Sequence, residues 1–338
     1  MRRVTISDVA EAAGVSVSTI SKVVNGRDGI APATQERVRR VIHELGYVTN
    51  LGARALRSTR TGVIGVLVSE FEPYSAEILK GVGQAAKGSD HELMAWAGTT
   101  SDPSAKRGWE QRLLGKLGGS LIDAAIIVTP SDALGPSTVP LVAVDPRVID
   151  DDQPSVFVDD EGGLRAAVQH VLELGHERIG FLAGRDDLAS AVARERGFRS
   201  AMLDAGLTPD EELIQRGDYS EAGAAQPATT LLDHPRRPTA IVAANDASAL
   251  AVLSGARERD IRVPEELSVI GFDDIPEAAR HAPPLTTVAQ PLRELGRMAF
   301  TMLAEQLAGQ TPDPVHRQLD TDLVVRRTTG PCPARAPE

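Results

Sequence analysis

A small all-helical head followed by a larger α/β body built on parallel sheets is the fold class this sequence predicts, on three observations. Apolar residues in the first 48 positions recur at helical spacing and are punctuated by Gly14 and Gly46. From residue 61 onward, β-branched runs alternate with amphipathic helical stretches. The charge also changes sign near residue 60: the first sixty residues hold ten Lys and Arg against five Asp and Glu, hence +5, whereas the whole chain is −11, hence −16 beyond. A basic module attached to an acidic body points to a polyanionic partner for the module alone.

The 338-residue length fits two or three domains, and 42% hydrophobic with 25% charged residues is an ordinary globular composition. Collagen, mucin and full-length disorder are excluded. The longest apolar runs, such as AAIIV at 124–128, fall far short of the roughly 20 residues that span a bilayer, and MRRVTISDVAEAAG has no apolar signal core. A cytoplasmic chain without membrane contact is expected. The single cysteine, Cys332, sits in a Pro-rich tail, so neither an internal disulfide nor a cysteine-based zinc site is available.

In the head, Thr5 and Asp8 have capping-box spacing at the start of a first helix whose apolar face is Val9, Ala10 and Ala13. Gly14 can take the positive φ that ends it, and Ser16 can cap a second helix from Val17 to about Val24. Pro32 opens a third, with Val38, Val41, Ile42 and Leu45 on its apolar face and Gly46 past its end. Helix, tight turn and helix within a three-helix unit is a helix-turn-helix arrangement, although such a unit could also be a protein-binding bundle. The second helix decides between them. It turns Ile20 and Val23 or Val24 inward and presents Val17, Ser18, Thr19, Ser21, Lys22 and Asn25, short or polar residues suited to base edges and phosphates. Residues 50–58, with Leu51, Ala53, Ala55 and Leu56 beside Arg54 and Arg57, form a helix too short to stand alone.

In the body the runs VIGVLV (63–68), LMAWAG (93–98), AAIIVT (124–129), LVAVD (141–145), RIGFLAG (178–184), AIVAAN (240–245) and LSVIGF (267–272) read as buried parallel strands. Their number suggests two doubly wound lobes, with a ligand crevice at the carboxyl ends of the strands. Polar residues stand at those ends: Asp145, Asn245, Asp246, Asp273, Asp274 and Gln290. A carboxylate accepts two hydroxyls and an amide both donates and accepts, so this set suits a polyhydroxylated ligand. Phe71, Tyr74 and Tyr219, in loops after strands, could cover the apolar face of a sugar ring or a base. Trp96 and Trp109 are expected to pack in the core, and His176, beside Gly175, to close a helix.

VTISDVAEAAGVSVSTISKVVNG, followed by TQERVRRVIHELGYVTNLGARALRS, resembles the N-terminal region of the LacI/GalR family of bacterial transcriptional regulators, without a gap. The resemblance implies that the second helix enters the major groove with Val17, Ser18 and Lys22 selecting the operator, while Thr5, Ser16, Thr19, Ser21, Asn25 and Thr34 contact phosphates. It implies a hinge helix that contacts DNA through Asn50 and Ala53, pairs with its twin across a dimer axis, and wedges Leu56 into the minor groove. Thr49 replaces the proline often found there, and Gly52 costs about 1 kcal/mol in a helix, so hinge folding should lean more heavily on DNA.

For the body, the resemblance implies a periplasmic-binding-protein-like core with three crossovers between lobes. The domains are then 1–48 helix-turn-helix, 49–60 hinge, 61–330 core and 331–338 a disordered tail, with lobe one at about 61–158 and 290–317 and lobe two at about 159–289 and 318–330. Asp145, Arg194, Asn245, Asp273 and Gln290 match effector-contacting places, and Ser190 belongs with Arg194 in SAVARERGF; Asp246 and Asp274 are left to supporting or capping work. Where the family often has Asn-Pro-aromatic-aromatic, this chain has Glu72, Pro73, Tyr74 and Ser75, which leaves the effector class open between a sugar and a purine or other metabolite acting as corepressor.

Competing motifs fail. Gly81 to Ala86 satisfies G-x-G-x-x-A, but it lies about a dozen residues past its strand, inside a helix, where small residues are expected to allow close helix-sheet packing. No Walker A, G-x-S-x-G, H-E-x-x-H or C-x-x-C sequence occurs, so no enzyme and no cofactor is expected. The partners expected are a palindromic operator, a small effector, most readily a sugar, and a second copy of the chain.

Overall fold

The computed structural model describes residues 4–24, 28–47, 61–98 and 107–333. It divides into two compact units, residues 1–61 and 62–338. In the first, α1 (Ile6–Ala13), α2 (Val17–Val24) and α3 (Pro32–Leu45) close around Val9, Ala10, Ala13, Ile20, Val23 and Val38. Gly14 at φ 63° ends α1 and turns its N–H back to the carbonyls of Ala10 and Glu11, which allows α2 to start three residues later. Of the expected α3 face, Val38 is buried, Val41 and Ile42 pack at the edge of the core, and Leu45 is exposed because the last turn runs past the small core.

The second unit holds two six-stranded sheets. The first contains β1 (Val63–Val68), β2 (Glu92–Ala97), β3 (Ala124–Val128), β4 (Leu141–Val144), β5 (Ser155–Val158) and β11 (His316–Leu319), ordered β11-β5-β4-β3-β1-β2. The second contains β6 (Ile179–Ala183), β7 (Ile214–Arg216), β8 (Ala240–Ala243), β9 (Ser268–Asp273), β10 (Thr286–Ala289) and β12 (Asp322–Val324), ordered β12-β10-β9-β8-β6-β7. All pairs are parallel except β10 with β12. Such sheets need helices on both faces, which explains why β1, β3, β4, β8 and β9 are buried along their whole length.

The helices of this unit are α4 (Pro73–Ala85), α5 (Trp109–Leu117), α6 (Asp160–Glu173), α7 (Ala189–Asp204), α8 (Glu221–Leu232), α9 (Asp246–Glu258), α10 (Pro276–Arg280) and α11 (Leu292–Leu307). The chain passes between the sheets after β5, after β10 and after β11. α11 returns to the first sheet, packing Leu295, Ala299 and Leu303 against β-strand valines and α4. Gly81 serves that contact: a Cβ there would strike the Arg293 carbonyl, and one on Gly296 would strike the Ile78 carbonyl. Within the G-x-G-x-x-A run it is thus Gly81 that admits a neighbouring helix rather than the sheet, while Gly83 faces open space.

Trp96 lies on the edge strand β2, and the Trp109 indole packs against Gly98. His176 does more than close a helix. Its ring nitrogens lie 2.9 Å from Thr239 Oγ1 and 3.0 Å from the Gly330 carbonyl, fastening the C-terminal segment to the second sheet. Cys332 N–H then donates to the Leu174 carbonyl at 2.8 Å. The segment expected to be disordered from 331 is therefore docked through Pro333, because its backbone finds partners; 334–338 lie outside the described residues.

Candidate functional site

The head places candidate hydroxyls at the starts of α1 and α2. Thr5 and Asp8 form the capping box: Thr5 N–H donates to Asp8 Oδ2 at 2.7 Å, and Asp8 N–H donates to Thr5 Oγ1 at 3.4 Å. Ser16 Oγ accepts from Thr19 N–H at 3.2 Å and lies 2.8 Å from Ser18 Oγ, so the start of α2 carries three clustered hydroxyls. Val17 is 37% exposed and Ser18 and Lys22 are exposed, whereas Ile20 is fully buried and Val23 is buried. An exposed valine among hydroxyls and an ammonium suits a mixed apolar and polar base edge. Thr34 lies in the first turn of α3 and Ser21 is half-buried in α2. Asn25, Asn50, Ala53 and Leu56 lie outside the described residues.

In the second unit, the strand ends converge around Arg194. It projects from α7, 4% exposed, and donates through Nε to Asp160 Oδ1 at 2.7 Å and through Nη1 to the Ala244 carbonyl at 2.6 Å. Nη1 also lies 3.5 Å from Asp273 Oδ1, and the guanidinium stacks 3.9 Å from the Phe272 ring centroid and 5.8 Å from that of Tyr219. Asp273 Oδ1 accepts from Gln290 Nε2 at 2.7 Å. Ser190 Oγ reaches Asp145 Oδ2 at 3.5 Å, linking α7 to the end of β4. Asn245 caps α9, accepting from Ser248 N–H at 3.0 Å, and donates to the Tyr219 carbonyl at 2.9 Å.

The backbone at these strand ends is unusual. Thr129, Asp145, Tyr219, Asp273 and Asp274 all have positive φ, from 45° to 119°, a conformation that costs non-glycine residues about 1–3 kcal/mol each. Burial withdraws water from the carboxyls and raises Asp145 and Asp273 to about 7; nearby Asp160 pushes Asp145 further, while Arg194 opposes both shifts. Asp160 is raised as well, by burial against the pull of Arg194. Burial would lower Arg194, but Asp160, Tyr219, Asp273 and Asp145 hold it well above its ordinary value. The hydroxyls of Tyr74 and Tyr219 are buried and have no hydrogen-bond partner among the described residues, and burial keeps both protonated. Two donors and a set of carboxyl acceptors thus share one crevice.

The family profile for bacterial regulatory proteins of the lacI family matches residues 5–50, and that for the periplasmic binding protein-like domain matches residues 168–329. The HTH-type transcriptional regulator CelR of Thermobifida fusca is 36% identical over 97% of this chain and 98% of its own length. The chain belongs to the LacI family of bacterial regulatory proteins. The HTH-type transcriptional regulator DegA of Bacillus subtilis is 34% identical over 97% of the chain and 99% of its own length. Among solved structures, a CelR–cellobiose complex superposes with TM-score 0.72 at 35% identity, covering 96% of this chain and all of that one. A lac repressor dimer bound to operator and the anti-inducer ONPF gives 0.78 at 29% identity, covering 97% and all of the other chain.

As a LacI-family member the chain is a transcriptional regulator and not an enzyme, as its relatives are. No helix among the described residues is long and apolar enough to cross a membrane, and no His, Cys, Asp and Glu group among them is placed to hold a metal ion. The structure brings Tyr74, Asp145, Ser190, Arg194, Tyr219, Asn245, Asp273 and Gln290 to the strand-end crevice of this LacI-family core. It does not bring Phe71, which stands 63% exposed on the loop after β1. Asp246 and Asp274 act as supports. Asp246 accepts from Thr287 Oγ1 at 2.5 Å and Ile275 N–H at 2.9 Å, and Asp274 pairs with Arg326 at 2.6 Å.

Sequence reasoning missed Asp160 and Phe272. Asp160 follows Asp159 at a helix start, where either reads as a cap; Asp159 takes the capping bond, to Gly162 N–H at 2.9 Å, which leaves Asp160 to turn inward. Phe272 looks like core because its strand is buried on both faces.

Proposed function

We propose that this chain is a cytoplasmic, sequence-specific repressor whose operator affinity is set by a small polyhydroxylated effector, most readily a sugar, held in the strand-end crevice. One observation carries the reading: hydroxyl-binding groups from both sheets converge on Arg194 in a chain that begins with a helix-turn-helix head. The relatives support it, since one related structure is a CelR–cellobiose complex and another is a lac repressor dimer on its operator.

The mechanism has three parts. Residues 1–48 read DNA through Val17, Ser18 and Lys22, with Thr5, Ser16, Thr19, Ser21, Asn25 and Thr34 on phosphates. A homodimer sets two such heads about one helical turn apart on a palindrome, and residues 49–60 fold against it with Asn50 and Ala53 on the DNA and Leu56 in the minor groove. In the core, lobe one (61–158 and 290–317) and lobe two (159–289 and 318–330) rotate on effector binding, and that rotation changes hinge folding. Asp145, Asp273 and Asn245 hold effector hydroxyls, Arg194, Ser190 and Gln290 orient them, and Tyr74 and Tyr219 donate to its oxygens.

Thermal unfolding of the purified chain in the presence of mono- and disaccharides, with purines as contrast, tests the assignment. A sugar should raise the melting temperature of wild type and leave Asp273→Ala unmoved. Stabilisation by a purine and by no sugar would transfer the crevice to the other ligand class.

A further inference from the structure

Arg194 is the one cation buried in the crevice among the described residues, and so the group an acidic ligand would need. A carboxylate or phosphate is held by two N–H groups on a single edge of a guanidinium. Here both edges are interrupted, because Nε is committed to Asp160 at 2.7 Å and Nη1 to the Ala244 carbonyl at 2.6 Å. Two helix starts beside the crevice, those of α6 and α9, are closed to anions in the same way, whereas that of α7, which carries Ser190, has no side-chain cap. Asp159 caps α6 and Asp160 stands in its first turn, while Asn245 caps α9 and Asp246 stands in its first turn. The side chains that face a ligand include acceptors at Asp145 and Asp273 and two donors without a partner among the described residues, Tyr74 Oη and Tyr219 Oη.

We propose that Asp160 is a specificity-determining residue: by occupying Arg194 it makes the crevice a site for uncharged polyhydroxyl ligands and closes it to their phosphorylated or carboxylated counterparts. This rests on the effector-crevice reading given above. Asp160 holds its carboxyl against Arg194 where an acidic ligand would place its own, so the ligand would have to displace an ion pair of which both partners are buried. A neutral sugar makes no such demand, since the carboxyls accept its hydroxyls and the two phenols donate to its ring or bridging oxygens.

The test uses the full chain and two sets of probes in thermal unfolding. In the first, sulfate is compared with chloride at equal ionic strength on wild type, Asp160→Asn, Asp160→Ser and Asp160→Glu. Freeing Arg194 should let sulfate raise the melting temperature of the Asn and Ser variants by about 2–4 °C over their chloride controls, with no gain in wild type or Asp160→Glu. If only one neutral variant gives a cooperative transition, that one decides. An equal sulfate response in all four proteins, or none in either neutral variant, overturns the proposal. In the second, glucose is set against glucose 6-phosphate and cellobiose against cellobionate on wild type, where the neutral member should be the stabiliser. A charged member that stabilises wild type more than its neutral parent also overturns it. If the sulfate results hold while no sugar binds, the selectivity stands and the sugar reading alone falls.

Discussion

Asp273 concentrates the physics of the crevice in one residue. Its φ is 119°, its carboxyl accepts from Gln290, and it lies near the Arg194 guanidinium, yet burial still raises its pKa to about 7 from an ordinary 3.8. A carboxyl raised in this way binds more protons folded than unfolded between those values. Its favourable contribution is complete at low pH and is lost as pH rises through about 7. Asp273→Asn keeps an acceptor for Gln290 and removes the ionisation. The melting temperature of the variant minus that of wild type should therefore climb between pH 5 and pH 8, as read by calorimetry without ligand; a flat difference would show that Asp273 carries no such penalty. Legibility at this scale varied with position. Asp145, Asn245, Asp273 and Gln290 were visible because they interrupt apolar strands at their carboxyl ends. Arg194 was visible only by resemblance, since an arginine in mid-helix looks like any surface arginine until the fold buries it.

Elements were legible in proportion to their apolar contrast. The seven long runs and the three head helices all appear, but β5, β7, β10, β11 and β12 are three or four residues long and offer little periodicity. Which helix meets which was not legible either, because α11 returns to α4 from some two hundred residues away. Two glycines of that pair make the contact testable. Gly296→Ala drives a methyl into the Ile78 carbonyl and should cost about 1–3 kcal/mol of core stability. Gly83→Ala, on the same helix as Gly81 but with nothing within 4 Å of its added carbon, should be neutral or gain up to about 1 kcal/mol of helix propensity. Equal melting shifts would refute the close crossing. The hinge proposed for residues 49–60 is tested on DNA. Leu56→Ala should weaken binding to a selected site far more than to random DNA, and equal losses would remove the wedge.

At the scale of the whole molecule, the charge division organises the function. The first sixty residues carry +5 and the remainder −16, so an acidic sensing body is repelled by phosphates and contact with the duplex falls to the basic N-terminal segment. Among the described residues Arg194, the cation buried in the crevice, is engaged by Asp160 and the Ala244 carbonyl, which suits the neutral effector proposed above. A coupling of 1–3 kcal/mol between effector and operator corresponds to about a 5–150-fold change in affinity. The most direct measurement is fluorescence anisotropy of the full chain on the DNA site it selects from a random pool, with and without saturating amounts of the sugar that raises its melting temperature. The Kd should shift within that range for wild type and stay fixed for Asp273→Ala. An unchanged wild-type Kd would contradict control of the operator by the effector.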